Sequence, residues 1–206
     1  MAKHQTQAFR EASILRAARH GFVTVGFAAS TMDAIAKQAG LSKGGLYFRF
    51  ASKNELLRAL LNNELNKAAQ FMNRYSESIT NTKTLRELGK TYWSFMTQEP
   101  DRARFFVLMN ELSLYDPEVR RLVRAIHKVY VNAMHKMFMQ AGYSTKAARS
   151  LALAFKAYAD GMAMATALEV NDIAPDWEHF GADLLQQEGK YGKHARRPAG
   201  GSRTQK

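Results

Sequence analysis

Apolar residues recur along the chain at intervals of three and four, the spacing that lines one face of an α-helix, and no run alternates as a strand would. The first stripe joins Ile14, Ala18, Phe22 and Val25, with Arg16, Arg19 and His20 largely off it. Gly26 stands where a helix end takes a left-handed backbone, a conformation glycine adopts without steric cost, and Phe27 can then fold back onto the stripe. Gly21, inside this helix, costs about 1 kcal/mol relative to alanine, and nothing in the sequence accounts for it.

A second helix is expected to start at Ser30, with Asp33 at capping-box spacing, to face Met32, Ile35, Ala36 and Ala39 inward, and to stop at Gly40. Leu41 follows as an apolar plug, and Ser42 caps a short third helix carrying Leu46. Ser52 and Glu55 form another capping-box pair at the head of a long fourth helix bearing Leu56, Leu57, Leu60, Leu61, Leu65, Ala68, Phe71 and Met72. Further helices are expected over 84–98, 102–114, 118–140, 145–170 and 175–187, with Pro100, Pro117, Gly142 and Pro175 as punctuation. From residue 189 the apolar period is lost, and a disordered basic tail is expected over 190–206. The expected fold is all-α with about nine helices: a three-helix domain over 1–53 and a helical bundle over 54–189.

The stretch from Met32 to Arg49 carries a specific arrangement. Ala36 is small where two helices pack closest, Gly40 permits a sharp turn, and Ile35, Ala39, Leu41 and Leu46 lock the pair at a fixed angle, as a helix-turn-helix requires. Charge strengthens this reading. The chain's formal net charge is +12, of which residues 1–53 hold +6, residues 190–206 hold +6, and 54–189 hold none. A basic end on a neutral body is the footprint of a polyanion binder. The tail either adds non-specific DNA affinity or serves only as a solubilising end.

Ile14-Leu15-x-Ala17-Ala18, Phe22-x-x-x-Gly26-Phe27 and Ser30-Thr31-x-x-x-Ile35-Ala36, followed by Ala39-Gly40-Leu41-Ser42-Lys43-Gly44-x-Leu46-Tyr47 and Phe50-x-Ser52-Lys53-x-Glu55-Leu56, resemble the TetR family of bacterial transcriptional regulators. The resemblance is dense over 14–56 and beyond residue 60 is confined to the helical layout. It implies a homodimer on a palindromic operator in double-stranded DNA, with a C-terminal domain that dimerises and binds a small effector. It also matches Thr31, Lys43, Tyr47 and Lys53 to phosphate-contacting positions. From chemistry, Ser30, Thr31, Ser42 and Lys43 open helices whose N-termini favour phosphate, although capping alone explains Thr31, Ser42 and Ser52 equally well. Gly44 and Gly45 give the reading helix a smooth face, where relatives often carry a side chain at the second position. Phe48 can touch a thymine methyl but donates nothing. Direct readout then falls to Lys43 and Arg49, with much of the affinity electrostatic and part of the specificity from DNA shape.

In the body, aromatic and methionine side chains suit either ordinary core or an apolar pocket, for which Trp93, Met96, Phe106, Met109 and Tyr130 are the candidates. Few ionisable residues interrupt these stripes, so a largely apolar effector is expected. Leu151, Phe155, Tyr158, Met162 and Ala163 lie on a helix rich in small residues, which fits either a subunit interface or a helix buried within one subunit. No apolar run reaches the roughly 18 residues of a membrane span, and the absence of cysteine excludes disulfides and thiolate metal sites, so a cytoplasmic, nucleoid-associated protein is expected. No catalytic residue, metal site or cofactor is expected: His127 and His135 are eight apart and share no clean helix face, and a helix end separates Glu111 from Asp116. A repressor released by its effector is the leading reading. The alternative is a DNA-bound architectural or division-associated protein whose C-terminal domain binds a protein partner.

Overall fold

The structure, a computed structural model, describes residues 7–76, 82–97 and 100–170. Eight helices fill the described residues: α1 (Gln7–Ala29), α2 (Met32–Gln38), α3 (Lys43–Tyr47), α4 (Lys53–Ser76), α5 (Thr82–Thr97), α6 (Pro100–Leu112), α7 (Pro117–Gln140) and α8 (Thr145–Ala167). The expected helix over 175–187 and the basic tail lie outside the described residues.

Punctuation in the sequence maps onto the chain's turns. Gly26 has φ +82°, so α1 kinks there, and Phe27 swings back to meet Phe22 edge-on at 5.1 Å. Gly40 has φ +70°; behind it the Leu41 amide bonds the Ala36 carbonyl at 2.9 Å, which closes α2 and drops Leu41 onto the core. The Ser52 hydroxyl accepts the Glu55 amide at 3.1 Å, while the Glu55 carboxylate accepts the Ala51 amide at 2.7 Å, one residue earlier than a standard capping box. Two expectations are corrected. Val25 is exposed, because the chain leaves the α1 stripe at Gly26. The cap of α2 is Thr31, whose hydroxyl accepts the Ala34 amide at 3.2 Å; Ser30 is buried, and its hydroxyl donates to the Phe27 carbonyl at 2.9 Å.

Packing divides into two clusters that share α4. Its first half sends Leu56, Leu57, Leu60 and Leu61 into a core with Ile14, Phe22, Ile35 and Leu46 of the first three helices. Phe105 and Met109 of α6, with Val119, Leu122 and Ile126 of α7, join the same core. Further along α4, Met72 enters a second core with Leu88, Met96, Met134, Phe138, Leu151 and Phe155. Each such buried side chain contributes about 1.5–3 kcal/mol of transfer free energy. The headpiece is therefore sealed by the body's own helices, and the start of α4 at Lys53 is not a linker.

Helix α8 overturns the subunit-interface reading of one face. Leu151, Phe155, Met162 and Ala163 are buried inside the protomer, and Tyr158 packs half-buried against the same core. The opposite face carries Ser150, Leu153, Ala157, Gly161, Met164 and Leu168, all exposed, at spacings of three and four. Period revealed an apolar face, but not that the protomer itself covers it.

Gly21 gains an account here. A Cβ built on it meets Ile35 Cγ1 at 3.4 Å, ordinary van der Waals contact, so glycine marks where α1 and α2 approach closely without being obligatory. Gly21→Ala is expected to raise the free energy of unfolding in urea by up to about 1 kcal/mol through helix propensity. Gly40→Ala is expected to lower it by about 1–2 kcal/mol, because alanine must adopt a left-handed backbone.

Candidate nucleic-acid interface and internal cavity

Helix α3 presents a compact outer face. Ser42 caps it, its hydroxyl accepting the Gly45 amide at 3.1 Å, and a Cβ on Gly45 would come within 3.2 Å of that hydroxyl. Gly44 has open space above it. Lys43 is exposed; its ammonium reaches Asp33 of α2 at 2.8 Å and lies 5.9 Å from the Tyr47 ring centre. The Asp33 hydrogen bond holds the Lys43 pKa above its ordinary value. An exposed pair of this kind contributes little stability, so a phosphate can replace Asp33 at small cost. Tyr47 is exposed, Arg49 is half-buried just past the helix end, and Phe48 is 91% exposed. Among the described residues no large apolar side chain is more exposed than Phe48, which stands at the C-cap of α3.

Of the ten positions expected to face DNA, Thr31, Ser42, Lys43, Gly44, Tyr47 and Phe48 are exposed, and Gly45 and Arg49 are half-buried. The other two are committed elsewhere. Ser30 is internal, as described above. Lys53 turns inward: its ammonium donates to the carbonyls of Phe27 at 2.6 Å, Ala28 at 2.9 Å and Ser30 at 2.8 Å, and sits 4.7 Å over the Phe27 ring. It caps the carbonyl end of α1, a role that joins residues more than twenty apart and that no local window displays.

Behind the headpiece lies an internal cavity of about 50 Å³, walled by α4, α5, α6, α7 and α8. Met96, Phe106, Met109 and Tyr130 line it as expected; Trp93 does not, and Tyr92 and Phe95 stand in its place. Four ionisable residues that the apolar stripes did not display, Glu64, Arg102, His127 and Lys156, line the cavity too. Each comes from a different helix, so no stretch of sequence displays the cluster.

These charges are tied together. The Lys156 ammonium, buried on α8, donates to Asp160 and lies within 6 Å of the ring centres of Phe106 and Tyr130. Burial pushes its pKa down and Asp160 opposes the shift. Arg102 lies over the Phe95 ring at 3.7 Å and donates to the Phe95 carbonyl. Glu64 accepts from Lys67 at 3.3 Å and pairs with Arg19 of α1 at 3.7 Å. Arg19 is itself buried, and burial lowers its pKa against the pull of Glu64. Next to it, His20 meets Asp101 of α6 at 2.8 Å. The cavity wall and the first helix of the headpiece thus share a carboxylate. Burial holds both Tyr92 and Tyr130 hydroxyls well above their ordinary pKa, so both stay protonated. Among the described residues no group of three or more His, Asp or Glu could hold a metal ion, and no helix is long and apolar enough to cross a membrane.

A short capped helix bearing lysine, tyrosine and an exposed aromatic, locked by a glycine turn against a second helix, defines a helix-turn-helix DNA-binding domain. The comparisons agree. A family model described as bacterial regulatory proteins of the tetR family matches residues 14–60. The HTH-type transcriptional activator FasR of Mycolicibacterium smegmatis is 27% identical over 146 residues, covering 70% of this chain and 66% of that one. Other curated regulators, from Bacillus subtilis and Pseudomonas putida, match over only 33% and 35% of their own lengths. Among solved structures, Salmonella enterica GusR aligns with TM-score 0.69 at 19% identity, covering 91% of this chain and 97% of that one. FadR of Bacillus subtilis in complex with stearoyl-CoA aligns with TM-score 0.62 at 23% identity, covering 85% and 95%. Residues 14–60 thus match the DNA-binding segment of the tetR family, and the chain shares its fold with solved TetR-like regulators.

Removing Lys53 should act on stability first. Lys53→Gln is expected to cost about 1–3 kcal/mol in urea unfolding, the worth of hydrogen bonds from a charged donor, whereas Lys43→Gln should change stability by less than about 0.5 kcal/mol.

His127 sets a pH dependence. Its ring faces Asp160 at 3.7 Å; burial first, and Lys156 second, hold its pKa below the ordinary 6.5, with Asp160 opposing. The unfolded chain then binds this proton more readily than the folded one, so stability should fall as pH drops below 6.5. In His127→Gln, urea titrations across that window should show a shallower loss.

Proposed function

We propose that the protein is a homodimeric transcriptional repressor that binds a palindromic operator through α3 and is released when a small effector fills the cavity. The observation that carries this reading is Glu64, which lines the cavity and pairs with Arg19 of α1. A void of about 50 Å³ holds little more than a water molecule or two. Anything larger must move the walls, and protein interiors are too densely packed to absorb that locally. Two of those walls, α4 and α6, are the helices on which α1 rests, so the headpiece moves with them.

On DNA, the exposed side chains of Lys43, Thr31 and Tyr47 are assigned to the phosphates, and Phe48 to an apolar contact in the major groove. Two headpieces read half-sites about 34 Å apart, one helical turn, so a shift of α4 in each subunit spoils their separation. The second copy is assigned to the exposed α8 stripe of Leu153, Ala157, Gly161, Met164 and Leu168, whose small residues permit close helix approach. An effector that couples to DNA binding by 5–150-fold, the usual range, suffices for control.

The test is binding to the DNA immediately upstream of the protein's own reading frame, followed against salt. The expected result is tight binding of two subunits per inverted repeat with a steep salt dependence, the slope falling by about one in Lys43→Gln. Gly161→Glu should leave the protomer folded, since a Cβ there meets nothing within 4 Å, yet give a monomer in ultracentrifugation and at least tenfold weaker operator binding. Wild-type protein that is monomeric, or that binds the repeat no better than random DNA at any salt, contradicts the reading. A transcription assay then reads whether release lifts repression.

A further inference from the structure

The cavity has a neighbour outside the bundle. A groove of about 570 Å³ runs from the end of α6 along the first half of α7, and His127 lines both the groove and the cavity. Three cations border the groove: Arg120, Arg124 and Lys128, four residues apart on α7. No carboxylate lines it. A rise of 1.5 Å per residue spreads these charges over roughly 12 Å. Arg120 is anchored, donating to the carbonyls of Ser113 at 2.8 Å and Leu114 at 2.6 Å, which holds the groove's lip, while Arg124 and Lys128 are exposed. Inside, Arg102 and Lys156 stand with Glu64, and Lys156 is paired with Asp160.

We infer that the effector is an amphiphile with a phosphate-bearing head, the head lying in the groove along Arg124 and Lys128 and the apolar chain passing His127 into the cavity beside Phe106, Met109 and Tyr130. Three cations spread over that length, with no lining acid, suit a head carrying several negative charges better than a single carboxylate. Arginine matches phosphate oxygens in a bidentate fork. The apolar chain replaces the small void and spreads methionine and phenylalanine side chains that adapt to varied shapes. This assignment rests on the proposed effector site and names its ligand class.

The test compares dodecyl phosphate, dodecanoyl-coenzyme A, dodecanoate and coenzyme A by calorimetric titration of the full chain, wild type and Arg124→Gln/Lys128→Gln. Both substituted side chains are exposed, so the variant should fold. The expected result is that at least one phosphate-bearing dodecyl probe binds about tenfold tighter than dodecanoate, and that the double variant loses this margin while keeping its affinity for dodecanoate and for DNA. Preference for dodecyl phosphate identifies a simple phosphate ester; preference for the coenzyme A thioester identifies a nucleotide-bearing head.

Equal binding of dodecanoate, undiminished binding by the variant, or no binding of any probe overturns the inference. So does an equal fall in the variant's DNA affinity, which makes the groove a DNA surface. If a phosphate probe binds with the expected charge dependence but leaves DNA bound, the ligand class stands and the release mechanism fails.

Discussion

Helix α4 belongs to two cores at once, and the rest of the structure depends on that. Its first turns supply the leucines that close the headpiece, and its later turns help close the bundle behind it. A three-helix headpiece of about fifty residues buries too little surface to be robust alone. Here α6 and α7 complete its core through Phe105, Met109, Val119, Leu122 and Ile126. The headpiece and the bundle therefore share one set of contacts: a displacement of α4 or α6 that the bundle tolerates is one the headpiece must follow.

The charges at this junction fit the same picture. A buried ion pair seldom adds net stability over an apolar pair of similar shape, yet losing one partner leaves an uncompensated buried charge. Arg19, Glu64 and Arg102 form such a set between α1, α4 and α6. An anionic ligand entering beside Arg102, as proposed above, would change the field that Glu64 and Arg19 experience, so the junction would respond to charge as well as to volume.

Much of the fold was legible because its signals are local. Gly26 marks the kink in α1, and Gly40, Ser42 and the Ser52–Glu55 pair each mark an element end within four residues of the groups they satisfy. The helix-turn-helix was legible because its packing residues lie within twenty positions of one another. Three things were not. Lys53 looked like a phosphate ligand because its partners, the carbonyls of Phe27, Ala28 and Ser30, are distant in sequence. The apolar face of α8 was visible, but its cover was not: periodicity states that a face is buried without saying by what. The polar side of the cavity escaped because Glu64, Arg102, His127 and Lys156 each come alone from a separate helix, where a single charge reads as a solvated residue.

The shared helix makes the central claim measurable without DNA or ligand. Native-state hydrogen exchange resolves opening free energies for individual amides. If α4 unites reader and bundle, the buried amides of Ile14, Ile35 and Leu61 should open with the same free energy and the same urea dependence as those of Met134 and Leu151. A headpiece whose amides open at distinctly lower free energy, while Met134 and Leu151 remain protected, would contradict the account and leave the cavity with no mechanical hold on the reading helix.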